Sequence, residues 1–330
     1  MKRHRVVPIV ALSILVVLGS GWSAASARGE DRFPSRQLTY IICFDPGGQS
    51  DREARRQQPL LEKGFGQHVT IEYKTGGGGA LGWREFVKTK PDGYTLAGFN
   101  IPHVILQPLQ QNVGYKTGQI LPVVLFHSTP LALAVPRNSP YRTAKELIEF
   151  ARKNPGAVTI GGSALFSGYH MAALRLEKLT GTRVTYVPFT GSAPQMTAFL
   201  DGHLTAVFAA SDDVTRNRDR MRVLGFATEE PFFKFPKDPT LKSQGIDLVE
   251  GVDRGVAVPE GTPADVIRKI ESVFLSLSRS REFQEAQMKD GFIPLSMGHD
   301  ESTAYLKRKT AIYTELAAEL KKQQPGGIRE

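Results

Sequence analysis

Cysteine is nearly absent from this chain, since its 330 residues include only one, Cys43. A single cysteine excludes a disulfide scaffold, an iron–sulfur cluster and a cysteine-rich zinc site. The sequence also contains no long low-complexity tract and no Gly-X-Y repeat, and 41% of its residues are hydrophobic. This content is too high for a disordered chain, and the length suits one large or two ordinary domains.

Motifs that mark common enzyme sites are missing as well. The seven histidines show no H-E-x-x-H or comparable metal-ligand spacing, and no Gly-Lys-[Ser/Thr] follows the glycine run at 76–79. Four side chains could be imagined as a nucleophilic set, but no G-x-S-x-G turn accompanies them: Ser163, Ser167, His170 and Asp212. We therefore expect no catalytic residue, no cofactor and no required metal.

The first residues have the layout of a secretory signal peptide. A basic segment at 1–5 precedes an apolar run from Val6 to Leu18, and small residues lead to the A-x-A pattern of Ala25–Ala27. The apolar run is shorter than the roughly 20 residues of a membrane-spanning helix, although an N-terminal anchor is an alternative. We expect cleavage after Ala27, which removes three of the +9 formal charges, and a periplasmic protein.

The positive net charge does not indicate nucleic-acid binding. Lysine and arginine are scattered among acidic residues, and export argues against a nucleic-acid partner. The densest basic patch, Arg216–Arg222 (RNRDRMR), is interpreted as a solvated surface, with docking to a membrane partner as a lesser alternative. We expect a monomer.

Strand and helix patterns alternate along the chain. Runs rich in β-branched residues predict strands at Leu38–Phe44, Val69–Tyr73 and Tyr94–Phe99, and a second such set begins at Leu131. Repeated β-α-β units imply mostly parallel sheets covered by helices. The predicted fold class is therefore α/β, with two lobes that face each other across a cleft.

The two-lobed arrangement divides the chain. The predicted segments are a signal peptide at 1–27, lobe I at 28–127 plus 257–330, and lobe II at 128–256. The chain would cross from lobe I to lobe II near 125–131 and return near 249–258, so that the C-terminal helices rejoin lobe I.

The loop Phe44–Asp51 (FDPGGQSD) lies between a predicted strand and a predicted helix. Ser50 and Glu53 fit a capping box at the helix start, while Gly47 and Gly48 permit close approach of the backbone. Unpaired N–H groups at a helix start favour an anion. An ordinary β-α turn is the alternative interpretation of this loop.

Two further loops repeat this arrangement, at 160–168 (IGGSALFSG) and 186–193 (YVPFTGSA). Each follows a predicted strand and opens a helix. Ligands of open parallel sheets bind at the carboxyl ends of the strands. We therefore expect the three loops to line the cleft and to hold a small anion through backbone N–H groups and hydroxyls.

Three motifs in these segments follow one another in a characteristic order. They are Pro46-Gly-Gly-x-x-Asp51-x-x-Ala54-Arg55, the pair Lys74–Gly82 and Lys90-Pro-Asp-Gly-Tyr-Thr-Leu96, and Tyr186-Val-Pro-Phe-Thr-Gly-Ser-Ala-Pro194. From about Gln37 to Asp213, and more loosely to the end, this order resembles the Bug family. Bug proteins are the TctC-like periplasmic solute-binding receptors of tripartite tricarboxylate transporters. The resemblance implies a type II periplasmic-binding-protein (Venus flytrap) fold.

The resemblance also implies a site. The Phe44–Asp51 and Gly161–His170 loops would grip a ligand carboxylate, partly through waters, and the Pro188–Ser192 loop would complete the site. The predicted ligand-binding residues are Phe44, Asp45, Pro46, Gly47, Gly48, Asp51, Gly162, Ser163, Ala164, Ser167, Gly168, His170, Pro188, Phe189, Gly191, Ser211, Asp212 and Arg254. The implied partners are a small organic anion (carboxylate) and the membrane components of a tripartite tricarboxylate transporter.

The chain departs from the family pattern at three of these places. The loop at 161–168 keeps glycine and serine but not the usual Ser-x-Gly-x-Gly arrangement. Phe189-Thr190 stands where the family commonly has Tyr-Lys, which removes a hydroxyl and a cation. Asp253-Arg254-Gly255 replaces a tryptophan-containing sequence. Arg254 could pair with a distal ligand carboxylate; alternatively it forms a salt bridge to Asp253 or Asp212, or is a solvated hinge residue.

Other acidic and polar side chains bear on the kind of ligand that the site would accept. Asp212 and Asp213 would disfavour a polyanion such as citrate. In some members of the Bug family an acidic residue near the position of Asp51 could receive a ligand amine, which leaves amino acids possible as ligands. Asp51 itself is expected to cap the helix or orient loop amides, and Asn100 and His103 are weaker candidates. A periplasmic sensor acting on a sensor kinase is the alternative function, and an exported hydrolase is a less favoured one.

Overall fold

The computed structural model describes residues 33–323, with side chains up to Glu319, so the predicted signal peptide at 1–27 lies outside the described residues. The strands are β1 Leu38–Ile42, β2 Val69–Tyr73, β3 Thr95–Ile101, β4 Ile120–Pro136, β5 Thr159–Gly162, β6 Thr185–Pro188, β7 Ala206–Ala210, β8 Met221–Phe226, β9 Gly251–Pro259 and β10 Ile293–Met297. The helices are α1 Gln49–Phe65, α2 Ala80–Phe86, α3 His103–Gln110, α4 Ala144–Lys153, α5 Gly168–Thr180, α6 Ser192–Leu200, α7 Ser211–Arg216, α8 Ala264–Ser278, α9 Arg281–Asp290 and α10 His299–Gln323.

Two groups of parallel strands are joined by antiparallel ones. In the first group β1 pairs with β2 and β3, and in the second group β5 pairs with β6 and β7. The long strand β4 belongs to both, because Ile120–Pro130 pairs with β9 whereas Leu131–Pro136 pairs with β7 and β8. The α/β class is confirmed. The expectation of mostly parallel sheets is wrong, because the strands β4 and β9 run antiparallel to their neighbours.

The apolar sequence of β1 is explained by burial on both faces. Leu38, Tyr40 and Ile42 pack with Phe274 of α8 on one face, whereas Ile41 packs with α2 on the other face. Side chains alternate between the faces of a strand, and helices cover both faces, so a continuous hydrophobic run is required. Alternate residues of β4 from Leu131 onward also divide between two core clusters.

The loops at the carboxyl ends of β1, β5 and β6 come together between the two groups of strands. They are held there by the helices that follow them, α1, α5 and α6. Helix α5 is capped by the Ser167 hydroxyl, which accepts a hydrogen bond from the His170 N–H. Within residues 33–323, none of the helices combines the length and the apolar character needed to span a bilayer.

Candidate functional site

A small cavity lies where these loops meet. It is lined by Phe44, Gly48, Gln49, Ser50, Asn100, Ser163, Ser192 and Arg254. These residues come from the start of α1, the end of β3, the loop after β5, the start of α6 and strand β9. The free volume is about 10 Å3, roughly the room that one water molecule needs. The surrounding loops are therefore close together in this structure.

The start of α1 is open to the cavity. Gly48 is the N-cap residue and supplies no capping side chain. The predicted capping box of Ser50 and Glu53 is wrong, because the Glu53 carboxylate is buried and accepts hydrogen bonds from Gln57 and Gln287. The first N–H groups of α1 thus keep the positive end of the helix dipole facing the cavity.

Asp51 holds the preceding loop in place. Its carboxylate accepts hydrogen bonds from the Gly47 N–H (2.7 Å), the Tyr73 hydroxyl (2.5 Å) and Arg55 Nε (2.8 Å). Burial acts to raise the pKa of Asp51, but the bonds from Tyr73 and Gly47 and the charge of Arg55 hold it below its usual value. Asp51 is therefore a charged residue that orients a loop amide and does not line the cavity.

Three polar side chains at the cavity have no hydrogen-bond partner among the described residues: Asn100, Ser163 and Ser192. Each is less than 9% exposed to solvent. Ser192 also lies close to the first loop, since a Cβ added to Gly48 would be 3.5 Å from the Ser192 Oγ. These groups can each bond to a polar ligand atom.

The loops after β1 and β6 contact each other directly. The Thr190 hydroxyl donates a hydrogen bond to Asp45 Oδ2 at 2.6 Å. Asp45 therefore belongs to a contact between two of the predicted binding loops. This contact joins the first group of strands to the second.

His170 and His103 are buried and neutral. The His170 ring stacks on Tyr186 with 4.5 Å between ring centroids, and burial lowers its pKa to about 4. The His103 ring packs 5.8 Å from Phe44, and burial followed by the charge of Arg254 lowers its pKa to about 3. Both rings shape the surroundings of the cavity and do not line it.

Several predicted site residues have close structural contacts away from the cavity lining. A Cβ on Gly162 would lie 2.1 Å from the Tyr186 hydroxyl, and one on Gly168 would lie 2.9 Å from the Gly251 oxygen. The Ser211 hydroxyl donates a hydrogen bond to the Gly291 oxygen at 2.6 Å. The remaining predicted residues outside the lining are Pro46, Gly47, Ala164, Ser167, Pro188, Phe189 and Gly191.

Arg254 is the charged side chain of the cavity lining. It is 4% exposed, and its guanidinium donates hydrogen bonds to Gln49 and to Thr129 Oγ1. No carboxylate of the described residues lies within 4.0 Å of it, and its Nε has no partner. Neither alternative considered for Arg254, a salt bridge to Asp253 or Asp212 or a solvated position, is therefore present in this structure.

The Asp212 and Asp213 carboxylates lie beside this group in the first turn of α7. Asp212 is bonded to Gln49 and Arg52, and Asp213 forms an ion pair with Arg216. Both carboxylates are 1% exposed, and burial followed by the charge of Asp212 raises the pKa of Asp213 to about 7. Arg52 and Arg216 thus neutralise most of the negative charge at this end of the cleft.

Four of the predicted binding residues line the cavity, namely Phe44, Gly48, Ser163 and Arg254. Gln49, Ser50 and Ser192 lie in loops that were predicted to bind the ligand, but they were not among the individually predicted binding residues, and Asn100 was only a weaker candidate. The three missed residues are polar and occupy the first turn of α1 or α6, which is a signal that the sequence contained. Within residues 33–323, no three metal-ligating side chains are grouped to hold an ion.

The comparisons with known proteins identify the class. The model of the tripartite tricarboxylate transporter family receptor (TctC) matches residues 54–319. The chain therefore belongs to this family of periplasmic solute-binding proteins, whose members are receptors and not enzymes. This finding confirms the resemblance to the Bug family.

Similar proteins cover nearly the whole chain. A UPF0065 protein in the gbd 5' region of Cupriavidus necator is 27% identical over 96% of this chain and 98% of its own length. Protein BugT of Bordetella pertussis is 25% identical over 94% and 98%.

Solved structures share the two-lobed fold. One, described as a periplasmic transporter, is 26% identical, covers 88% of this chain and 98% of its own, and has a TM-score of 0.82. R. palustris Rpa4515 with adipate is 23% identical, covers 87% and 98%, and has a TM-score of 0.83.

Proposed function

We propose that this protein captures a small organic carboxylate in the cleft between its lobes, in the periplasm. It then delivers the carboxylate to the membrane components of a tripartite tricarboxylate transporter. The observation that carries the proposal is Arg254, a buried cation at the cavity that has no carboxylate partner within the described residues.

The charge of Arg254 favours an anionic ligand. Burying an ion costs several kcal/mol unless it is paired, and Arg254 bonds only to neutral groups, Gln49, Thr129 and the Val252 oxygen. A ligand carboxylate would supply the missing counter-charge through charge-assisted hydrogen bonds. The N-terminus of α1 faces the same space and favours an anion as well. The adipate bound to Rpa4515 shows a carboxylate in a protein of this fold.

The acidic pair limits the charge of the ligand. Asp212 and Asp213 lie behind Gln49, and their charges are balanced by Arg52 and Arg216. Among the described residues that line the cavity, Arg254 is the one cation left to balance the ligand. We therefore expect a ligand with one or two carboxylates to bind more tightly than a tricarboxylate such as citrate.

Closure of the lobes couples binding to recognition by the transporter. We propose lobe I at 28–127 plus 257–330 and lobe II at 128–256; the change of β4 partners after Pro130 supports the first crossing. A ligand that contacts both lobes stabilises the closed state by its differential affinity. The hydrogen bond between Thr190 and Asp45 is a contact that closure would form.

The test is a binding screen on the exported protein. Thermal shifts are measured with mono-, di- and tricarboxylates, amino acids and aromatic acids, and the hits are confirmed by calorimetry. A ligand at 100 times its Kd stabilises the folded form by about 2.7 kcal/mol. We expect at least one carboxylate to raise the Tm and its neutral amide to have no effect. Binding of neutral compounds alone would overturn the proposal.

A further inference from the structure

The Gln49 carboxamide connects two groups of opposite charge. Its Oε1 accepts hydrogen bonds from the Arg254 guanidinium and, at 3.4 Å, from the Tyr169 hydroxyl. Its Nε2 donates to Asp212 and, at 3.1 Å, to Asp213. Gln49 is 2% exposed, yet it also lines the cavity. One side chain therefore separates the ligand space from the acidic pair.

We propose that Gln49 determines how deep a ligand can enter the cleft. Its side chain fills a buried subsite between Arg254 and the Asp212–Asp213 pair, and the ligand ends in front of it. Removal of the side chain would open this subsite to a terminal carboxamide of a longer ligand. This inference rests on the proposed function, because it concerns the same cleft.

The walls of the subsite do not depend on Gln49. Arg254 is also held by Thr129 Oγ1 at 2.5 Å, and Asp212 and Asp213 are held by Arg52 and Arg216. Truncation would therefore leave hydrogen-bond donors on one side and acceptors on the other. A carboxamide offers the matching acceptor and donors. Because Gln49 lines the cavity, the new space would be continuous with the present one.

The first test is chemical rescue of Gln49→Ala by acetamide, which corresponds to the part of the side chain that is removed. We expect the variant to have a lower Tm than the wild type, because buried polar groups are left without hydrogen-bond partners. We expect acetamide to restore part of the lost Tm. The matched control is Gln57→Ala, because Gln57 lies in the same helix, is 0% exposed and bonds to Tyr40 and Glu53 away from the cavity. Absence of rescue in Gln49→Ala, or equal rescue in both variants, would overturn the inference.

The second test compares ligand profiles. Linear dicarboxylates of increasing length and their mono-amides are titrated into the wild type, Gln49→Ala and Gln57→Ala. We expect Gln49→Ala to bind a longer mono-amide about tenfold more tightly than the wild type does, which is the gain expected from one new hydrogen-bonded contact. The same ranking of ligands in the wild type and Gln49→Ala would contradict the inference.

The two tests separate this inference from the proposed function. If the wild type binds no carboxylate, the proposed function fails, whereas rescue by acetamide would still support a carboxamide subsite at Gln49. If the wild type binds carboxylates and Gln49→Ala shows no rescue or an unchanged ligand profile, only the inference fails. Should Gln49→Ala not fold, Gln49→Ser is tested in the same two ways.

Discussion

Replacement of Arg254 by methionine should separate ligand affinity from stability. Arg254 is buried, lines the cavity and lacks a carboxylate partner among the described residues. Methionine has a similar volume and no charge, so it fills much of the same space without donating hydrogen bonds. In this variant we expect the ligand to lose its counter-charge while the fold is retained.

The loss of affinity can be worked out from the missing bonds. A hydrogen bond to a charged group contributes about 1.5–3 kcal/mol. Loss of one such bond weakens binding about 10- to 100-fold, since each 1.4 kcal/mol is about a factor of ten in Kd. If the guanidinium binds the carboxylate through two hydrogen bonds, we expect the loss of affinity to lie at the upper end of this range.

The stability of the ligand-free protein should change little. The partners of Arg254 keep other hydrogen bonds, because the Thr129 hydroxyl donates to the Val252 oxygen at 2.9 Å and Gln49 retains Tyr169. A buried ion without a charged partner costs several kcal/mol, and an apolar side chain of similar volume removes that cost, which offsets the loss of the arginine's hydrogen bonds. We therefore expect the free energy of unfolding to change by no more than about 1 kcal/mol.

Two assays check this prediction. Calorimetric titration with the best carboxylate measures Kd, and urea unfolding measures stability in the absence of ligand. An Arg254→Met protein that binds the carboxylate as tightly as the wild type refutes the role of the guanidinium. A loss of several kcal/mol in stability with affinity retained would instead show that Arg254 holds the fold together.

Three further variants test other parts of the site and the fold. Gly48→Val should abolish the ligand-induced Tm shift, because a Cβ there lies 3.2 Å from the Asp45 oxygen and the methyl groups extend beside the cavity; Gly118→Val, where a Cβ meets no atom within 4 Å, is the control. Asp51→Asn should weaken binding about tenfold in calorimetry, because the charge-assisted bond to the loop amide is lost; an unchanged Kd would contradict this role. Burial raises the pKa of Glu250 from 4.5 to about 7, so the folded wild type holds a proton that the unfolded chain releases in this window. The wild type should therefore lose stability relative to Glu250→Gln as the pH rises from 4.5 to 7, and a constant difference in urea unfolding would refute this.

The first part of the fold could be predicted because its signals are local. The apolar run of β1, the glycines at the following turn and the start of α1 lie within one short stretch, and the structure places them within a few residues of the prediction. The antiparallel course of β4 could not be predicted in this way. Its partners β7, β8 and β9 lie far along the chain, so the sequence around β4 does not reveal that it runs antiparallel to them.

The site residues that could be predicted are those whose position is fixed by their own loop. Gly48 and Ser163 follow predicted strands, and their place at the cavity follows from that order. Gln49 could not be interpreted from its neighbours, because its partners Asp212 and Arg254 are 163 and 205 residues away. Glu53 fitted a capping box locally, but it is bonded instead to Gln287 of α9, which is 234 residues away.

A crystal structure of the protein saturated with its tightest carboxylate would show whether Arg254 binds the ligand. We expect a carboxylate oxygen within hydrogen-bond distance of the Arg254 guanidinium and of an N–H group in the first turn of α1. A ligand bound elsewhere, or one in the cleft whose carboxylate faces solvent while Arg254 bonds only to Gln49 and Thr129, would contradict it.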